Sequence, residues 1–255
     1  MRICVLGSGS GGNSTFIEQG STRLLIDAGL RTKDIVERLS QIGVDAASVN
    51  GIFISHEHQD HIEGAEVFAR KFQVPLFLSP RALEHSPASL HEVKHYPIAA
   101  DVPLQLGSIT VTPFSIPHDS IDPLAFSLRA SSSRACVVSD IGFLPESIKE
   151  RLLAADVLVI ESNHDLEMLR TGPYPWHLKQ RVMSNYGHLS NEALAYFFSE
   201  YYEGTDRKIV LIHLSKLNNH PQIANISATR ALERRCRNFD LHLSLQDEIS
   251  NIVEI

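Results

Sequence analysis

Six consecutive residues, His56-Glu57-His58-Gln59-Asp60-His61, place three imidazoles and an aspartate carboxylate on one short stretch of chain. Imidazole nitrogens and carboxylate oxygens are the donor set for zinc, and for manganese or iron where oxygen is plentiful. One ion cannot readily use all four groups over so short a span, because side chains diverge around a turn. Two neighbouring ions can. Three more residues of ligand type stand just beyond apolar runs: His118 after Phe114-Ser115-Ile116-Pro117, Asp140 after Ala135–Ser139, and His213 after Lys208–Ile212. The ends of strands are where active-site loops gather.

The flanking sequence supplies the scaffold. Gly51–Ile54 reads as a short buried strand and Ile62–Phe72 as an amphipathic helix, so the histidine run sits on a strand-to-helix turn. Further strand-like runs are Arg2–Leu6, Thr15–Glu18, Thr22–Ile26, Ile109–Thr112, Ala125–Leu128, Ala135–Val138, Val157–Ile160 and Lys208–Ile212. Helix-like runs are Thr32–Gln41, Pro145–Leu153, Asn191–Tyr202 and Pro221–Asn238. This alternation predicts sheets covered by helices, of α/β (α+β) class, with no long linker and so a single domain over 1–255. Leu24-Leu25-Ile26-Asp27-Ala28-Gly29 echoes Val137-Val138-Ser139-Asp140-Ile141-Gly142. Two related halves would bring strand ends from both around one cleft. Residues 166–188, with two prolines, Gly172, Tyr174 and the only Trp, read as a shaped loop.

Composition narrows the class. The chain has 255 residues, a formal net charge of -7 and 13 histidines. That charge gives no global attraction for nucleic acid, leaving only local basic patches such as Arg230, Arg234, Arg235 and Arg237. No apolar run has bilayer-spanning length. Three widely spaced cysteines argue against a disulfide framework, and the start lacks a signal-peptide pattern, so a cytoplasmic location is expected. Gly7-Ser8-Gly9-Ser10-Gly11-Gly12 matches a dinucleotide fingerprint formally, but a strand rather than a helix follows it. A loop lining the metal cleft fits better.

Taken together, His-x-His-x-Asp-His, a lone His, an Asp after a strand and a strand-end His resemble the metallo-β-lactamase fold, an αββα four-layer sandwich. The resemblance covers the whole chain. It implies one divalent ion on His56, His58 and His118, a second on Asp60, His61 and His213, and Asp140 bridging them. Zinc or manganese is expected, and the donor set also admits iron. Histidine at position 58, where redox members carry Glu, favours hydrolysis. The opening glycine run, Ser162-Asn163-His164-Asp165, Gly187-His188-Leu189-Ser190-Asn191 and the segment from His213 to Asn219 narrow the resemblance to the YycJ/WalJ group. That group is regarded as a branch of phosphodiesterase-like metallo-hydrolases linked to exonuclease action on DNA.

The resemblance implies a dinuclear phosphodiesterase, acting on DNA more than RNA through a metal-bridging hydroxide. The alternative is a hydrolase of a small cyclic phosphodiester, thioester or lactone. Asp60 would orient the hydroxide as well as bind metal. Related phosphodiesterases place a non-ligand histidine upstream of the last ligand, and His188 matches it. It would serve as general acid or as a donor to phosphate. A structural role before a helix capped by Ser190 is the competing reading of His188. Ser215, Asn218, His164 and Trp176 are the candidate substrate contacts. Ser215 and Asn218 read equally as partners of the ligands, His164 as a turn residue, and Trp176 as a packing anchor.

Overall fold

The computed structural model describes residues 1–255. Its first sheet is built from β1 (Arg2–Gly7), β2 (Ser14–Gln19), β3 (Thr22–Ile26), β4 (Gly51–Phe53), β5 (Leu76–Leu78) and β6 (His95–Pro97). Its second contains β7 (Leu104–Leu106), β8 (Ile109–Ser115), β9 (Leu124–Ala130), β10 (Ser133–Val138), β11 (Val157–Glu161), β12 (Arg207–Ile212) and β13 (Phe239–Leu243). The last strand, β14 (Val253–Glu254), returns to pair antiparallel with β1. The orders are β14-β1-β2-β3-β4-β5-β6 and β13-β12-β11-β10-β9-β8-β7. Each sheet opens as an antiparallel meander and turns parallel at its third long strand, β3 in one and β10 in the other. The echo at Asp27 and Asp140 therefore falls on equivalent strand ends.

The strands carry apolar residues on both faces because both faces are covered. Ile3 and Val5 of β1 face the second sheet, while Cys4 and Leu6 face the helices. Val137 and Val159 point between the sheets, while Cys136, Val138, Leu158 and Ile160 point outward. The helices on the first sheet include α1 (Thr32–Gln41), α2 (Gln59–Ile62), α3 (Ala65–Phe72), α4 (Pro80–Glu84) and α5 (Ala88–His91). Later in the chain come α6 (Glu146–Leu153), α7 (Leu166–Thr171), α8 (Trp176–Val182), α9 (Asn191–Glu200) and α10 (Pro221–Leu232). Ile35, Leu39 and Phe68 seal the first sheet; Ile148, Leu152, Leu194, Phe198 and Ala224 seal the second. The three apolar layers hold 22, 23 and 24 buried residues, so neither half is subordinate. This is the expected αββα sandwich. No helix is long and apolar enough to cross a membrane.

Three sequence expectations change. Ile62–Phe72 is not one helix: Glu63 and Gly64 separate α2 from α3. The Gly64 amide donates to Ala28 O at 2.8 Å, and a Cβ there would lie 2.2 Å from Leu30 O. Residues 166–188 are not one loop but hold α7 and α8, with Asp165 capping α7 through Met168 N at 2.8 Å. The run Pro221–Asn238 ends as a helix at Leu232, and Cys236 beyond it bridges to Gly204. Arg234, Arg235 and Arg237 thus lie beyond the helix.

Strands β3, β10 and β12 end alike. Asp27, Asp140 and His213 follow them with φ of 62°, 54° and 57°. Asp and His tolerate this left-handed turn better than most residues. Close packing fixes the turn after β3: a Cβ on Gly29 would lie 1.6 Å from Asp60 O. We predict that Gly29→Ala lowers stability by about 3 kcal/mol, because rigid backbone must move. Gly20→Ala, at φ of 58° with nothing within 4 Å of a Cβ, costs about 1 kcal/mol. Urea midpoints of the two variants check the contrast.

Candidate metal centre

The turn after β4 carries the histidine run. Ser55 begins it, and its amide donates to Asp27 Oδ1 at 2.8 Å while its hydroxyl donates to Asp27 Oδ2 at 2.9 Å. The same hydroxyl accepts from His56 Nδ1 at 2.9 Å. With that proton on Nδ1, His56 Nε2 is an acceptor, 3.0 Å from His58 Nδ1. His118 Nδ1 donates to Gly187 O at 3.3 Å, leaving its Nε2 buried with no hydrogen-bond partner. One ligand atom each from His56, His58 and His118 lies within 4.8 Å of the others. Burial, reinforced by His61, holds His56 well below the usual imidazole range, and burial also lowers His118. Both stay neutral, which is the form that binds metal.

The second group lies beside the first. His61 Nδ1 donates to Asp27 Oδ2 at 2.8 Å, and its Nε2 lies 2.9 Å from Asp140 Oδ2 and 3.7 Å from Asp60 Oδ2. His213 Nδ1 donates to Glu161 Oε1 at 2.7 Å; its Nε2 is buried without a hydrogen-bond partner, 3.9 Å from Asp60 Oδ2. Burial opposes charge on His61, but Asp27 and Asp140 overcome it and raise the group well above its ordinary range. Against the same opposition, Asp140, Asp60 and Glu161 raise His213. Burial likewise opposes ionisation of Asp140, yet His213 and His61 keep it well below the carboxylate range. Carboxylates so placed demand positive charge, which a divalent ion supplies as readily as protons do. The orphaned Nε2 atoms of His118 and His213, with neighbouring carboxylate oxygens, fit divalent metal binding.

A different grouping also satisfies ligand distances: Asp140, Glu161, His188 and His213. It relies on Nδ1 atoms that already donate to Glu161, at 2.8 Å from His188 and 2.7 Å from His213. We assign Glu161 as the carboxylate that orients these imidazoles. It is fully buried and also accepts from the amides of Ile141 at 2.8 Å and Leu189 at 3.2 Å. Burial alone would raise its pKa; His188 and His213 bring it down to about 2. His188 thereby keeps its Nε2 free on the half-buried side of the ring. Its own pKa is raised, because Glu161 outweighs burial.

The opening glycine loop braces this centre. Ser8 Oγ accepts from His213 N at 2.8 Å. Asn13 Nδ2 donates to Asp60 Oδ2 at 3.2 Å, while Asn13 Oδ1 accepts from Gly9 N at 2.8 Å. The Gly12 amide donates to Gly9 O at 2.9 Å, so these two amides serve the loop itself.

The structure thus brings His56, His58, Asp60, His61, His118, Asp140, His188 and His213 together. The four candidate substrate contacts have the following surroundings. His164 is buried behind Glu161, and burial lowers its pKa to about 4. Asn218 is buried against Gly172, and its amide donates to Ser215 Oγ at 3.1 Å. Ser215 N in turn donates to Asn163 O at 2.8 Å, so the pair braces the wall that holds His213. Trp176 is 65% exposed in the first turn of α8. Sequence reasoning passed over Asp27, Ser55, Asn13 and Glu161. Asp27 carried a signal in the Asp-x-Gly echo, and Glu161 in being a carboxylate directly continuing the apolar run Val157–Ile160.

Known proteins carry the same architecture. A family model described as the beta-lactamase superfamily domain matches residues 22–214. The chain is 32% identical over 238 residues to exodeoxyribonuclease YycJ of Bacillus anthracis, covering 92% of this chain and 90% of that protein. It is 34% identical over 236 residues to exodeoxyribonuclease WalJ of Streptococcus pneumoniae, covering 91% and 88%. Among solved structures, the metallo-beta-lactamase fold protein YhfI from Bacillus subtilis aligns with a TM-score of 0.72, 17% identity and 99% coverage of both chains. A diphosphatase of the PhnP family aligns at 0.66 with 17% identity, covering 100% of this chain and 98% of that one. At such identities these two structures establish the fold alone.

Glu161→Gln should weaken metal affinity by about 10–100-fold, as read by chelator competition. It also has a pH signature in the metal-free protein. Glu161 has a lower pKa folded, about 2, than its ordinary 4.5, so its ionised form favours folding. That contribution is complete above pH 4.5 and disappears as pH falls toward about 2. The stability gap between wild type and Glu161→Gln should close over that window in denaturant titrations.

Proposed function

Because this chain belongs to the metallo-β-lactamase superfamily of metal-dependent hydrolases, we propose that it hydrolyses phosphodiester bonds of nucleic acid, removing nucleotides from a DNA end. The observation that carries this reading is the His188–Glu161 pair beside the ligand cluster. Cleaving a phosphodiester leaves an alkoxide, which needs a proton; hydrogen-bonded at Nδ1 to Glu161, His188 presents Nε2 for that purpose. Glu161 also raises the proton affinity of the ring, as an acid working near neutrality requires. The exodeoxyribonuclease names of the YycJ and WalJ relatives support DNA as the substrate class.

His56, His58 and His118 would hold one divalent ion, and Asp60, His61 and His213 a second, with Asp140 between them. Zinc and manganese both suit this set. When bound, such ions lower the pKa of water toward neutrality and neutralise charge on phosphoryl oxygens. Asp60 is held by Asn13 at 3.2 Å and keeps its side chain 25% exposed, which suits it to orient the attacking water as well as bind metal. Asp27 and Ser55 fix the orientations of His61 and His56. Three buried free thiols, Cys4, Cys136 and Cys236, are consistent with a reducing, cytoplasmic place of action.

The test is a gel assay of protein loaded in turn with manganese and zinc, against end-labelled single- and double-stranded DNA and RNA. We expect stepwise shortening of DNA. Asp140→Ala should reduce it by about 10³-fold or more, and His188→Ala by about 10²–10⁴-fold. No cleavage of any strand by well-metallated wild type would sink the nuclease reading and leave a small phosphodiester, thioester or lactone as substrate.

A further inference from the structure

We infer that Arg181 is a receptor for a substrate phosphate at the rim of the metal centre, masked by Asp119 until substrate arrives. This rests on the nuclease reading and deepens it: the ligand is the phosphate adjoining the reacting one, which a polynucleotide has and a small cyclic phosphodiester lacks.

The position of Arg181 is fixed by the same segment that fixes the centre. His188 N donates to Val182 O at 3.0 Å, at the end of α8. Gly187 packs so closely that a Cβ would lie 2.2 Å from Arg181 O, and Gly187 O accepts from His118 Nδ1 at 3.3 Å. The guanidinium forks onto Asp119, through Nε to Oδ2 and through Nη2 to Oδ1 at 3.1 Å. Asp119 Oδ1 is also 3.4 Å from His118 Nε2, one of the two orphaned nitrogens of the centre. The fork therefore stands at the mouth of the site. Beyond Asp119 itself, the carboxylates of Asp140 and Asp60 also favour its charge.

The pair contributes little to stability. Side-chain exposures of 53% for Arg181 and 29% for Asp119 leave it open to solvent, where such bridges add little. A guanidinium fork matches phosphate as well as it matches carboxylate, so exchange of partner costs little. A chain of net charge -7 needs such local cations to hold a polyanion. The adjoining turns add exposed rings: Tyr186 is 61% and Phe143 40% exposed. Those turns touch, since a Cβ on Gly142 would lie 2.2 Å from Asn185 O. A cation and exposed aromatics on adjoining turns are the elements of a nucleotide footprint.

The experiment is fluorescence anisotropy of a phosphorothioate-linked single strand with metal-loaded protein, over a range of salt. Arg181→Ala should weaken binding by about 10-fold and reduce the salt slope by about 0.7. Asp119→Asn unmasks the guanidinium and should tighten binding by a few fold, about 3. Opposite signs are the signature, since an ion pair that only braces the fold is broken equally by either change. Tyr186→Ser, which leaves the pair intact, should weaken binding by about 5-fold or more. Binding unchanged by Arg181→Ala, or weakened by Asp119→Asn, overturns the inference while leaving the nuclease reading standing. Wild type that binds no strand overturns both.

Discussion

The arrangement of the site depends on one carboxylate sealed from water. Glu161 ends β11, between β10 and β12 in the second sheet. Burying a carboxylate costs several kcal/mol unless its lone pairs are matched. Here two imidazole Nδ1 atoms and two backbone amides match them, from His188, His213, Ile141 and Leu189. Those donors come from three separate loops. The charge thus ties the turn after β10, the turn after β12 and the approach to α9 to one point. It also sets the tautomer of both histidines, so that each directs Nε2 away from Glu161. A glutamine there would keep the shape but lose the acceptor capacity and the field.

The first half achieves the same end with Asp27, and the difference between halves is informative. Asp27 follows β3, the counterpart of β10, yet its carboxylate turns to Ser55 and His61 rather than into the middle of the cluster. Asp140, its equivalent, faces His61 and lies 3.4 Å from both His213 and His188. Two comparable strand ends therefore supply a supporting carboxylate on one side and a central one on the other. The two sheets meet face to face through Ile26, Phe53, Val137 and Val159, which keeps both strand ends at one cleft.

Much of this was legible in the sequence, and the losses have physical causes. The long inner strands and Thr32–Gln41 carry strong periodicity, and the observed elements match closely. The missed strands β5, β6, β7, β13 and β14 hold two to five residues each. His95-Tyr96-Pro97 of β6 is half exposed and polar, leaving no alternation to read. The helices after Leu166 were hidden by the intervening prolines and Gly172, which punctuate the segment without preventing short helices. The ligand run was legible because its members are sequence neighbours. Glu161 was not, because its imidazole partners lie 27 and 52 residues away, and only the parallel pairing of β11 with β12 and the turn before α9 bring them together.

Backbone conformation at three strand ends adds a last constraint. Asp27, Asp140 and His213 all adopt the left-handed region. Glycine would adopt it at least cost, and each of these residues carries a penalty for its Cβ. Their side chains repay that penalty by pairing within the cluster, so the strain is held by the contacts it serves. The turn ends each strand abruptly, so the side chain joins the cluster while the chain moves away. An extended residue there would let the strand run on into the cleft. The convergence of these side chains and the ending of the strands are therefore one property, set by the same three torsions.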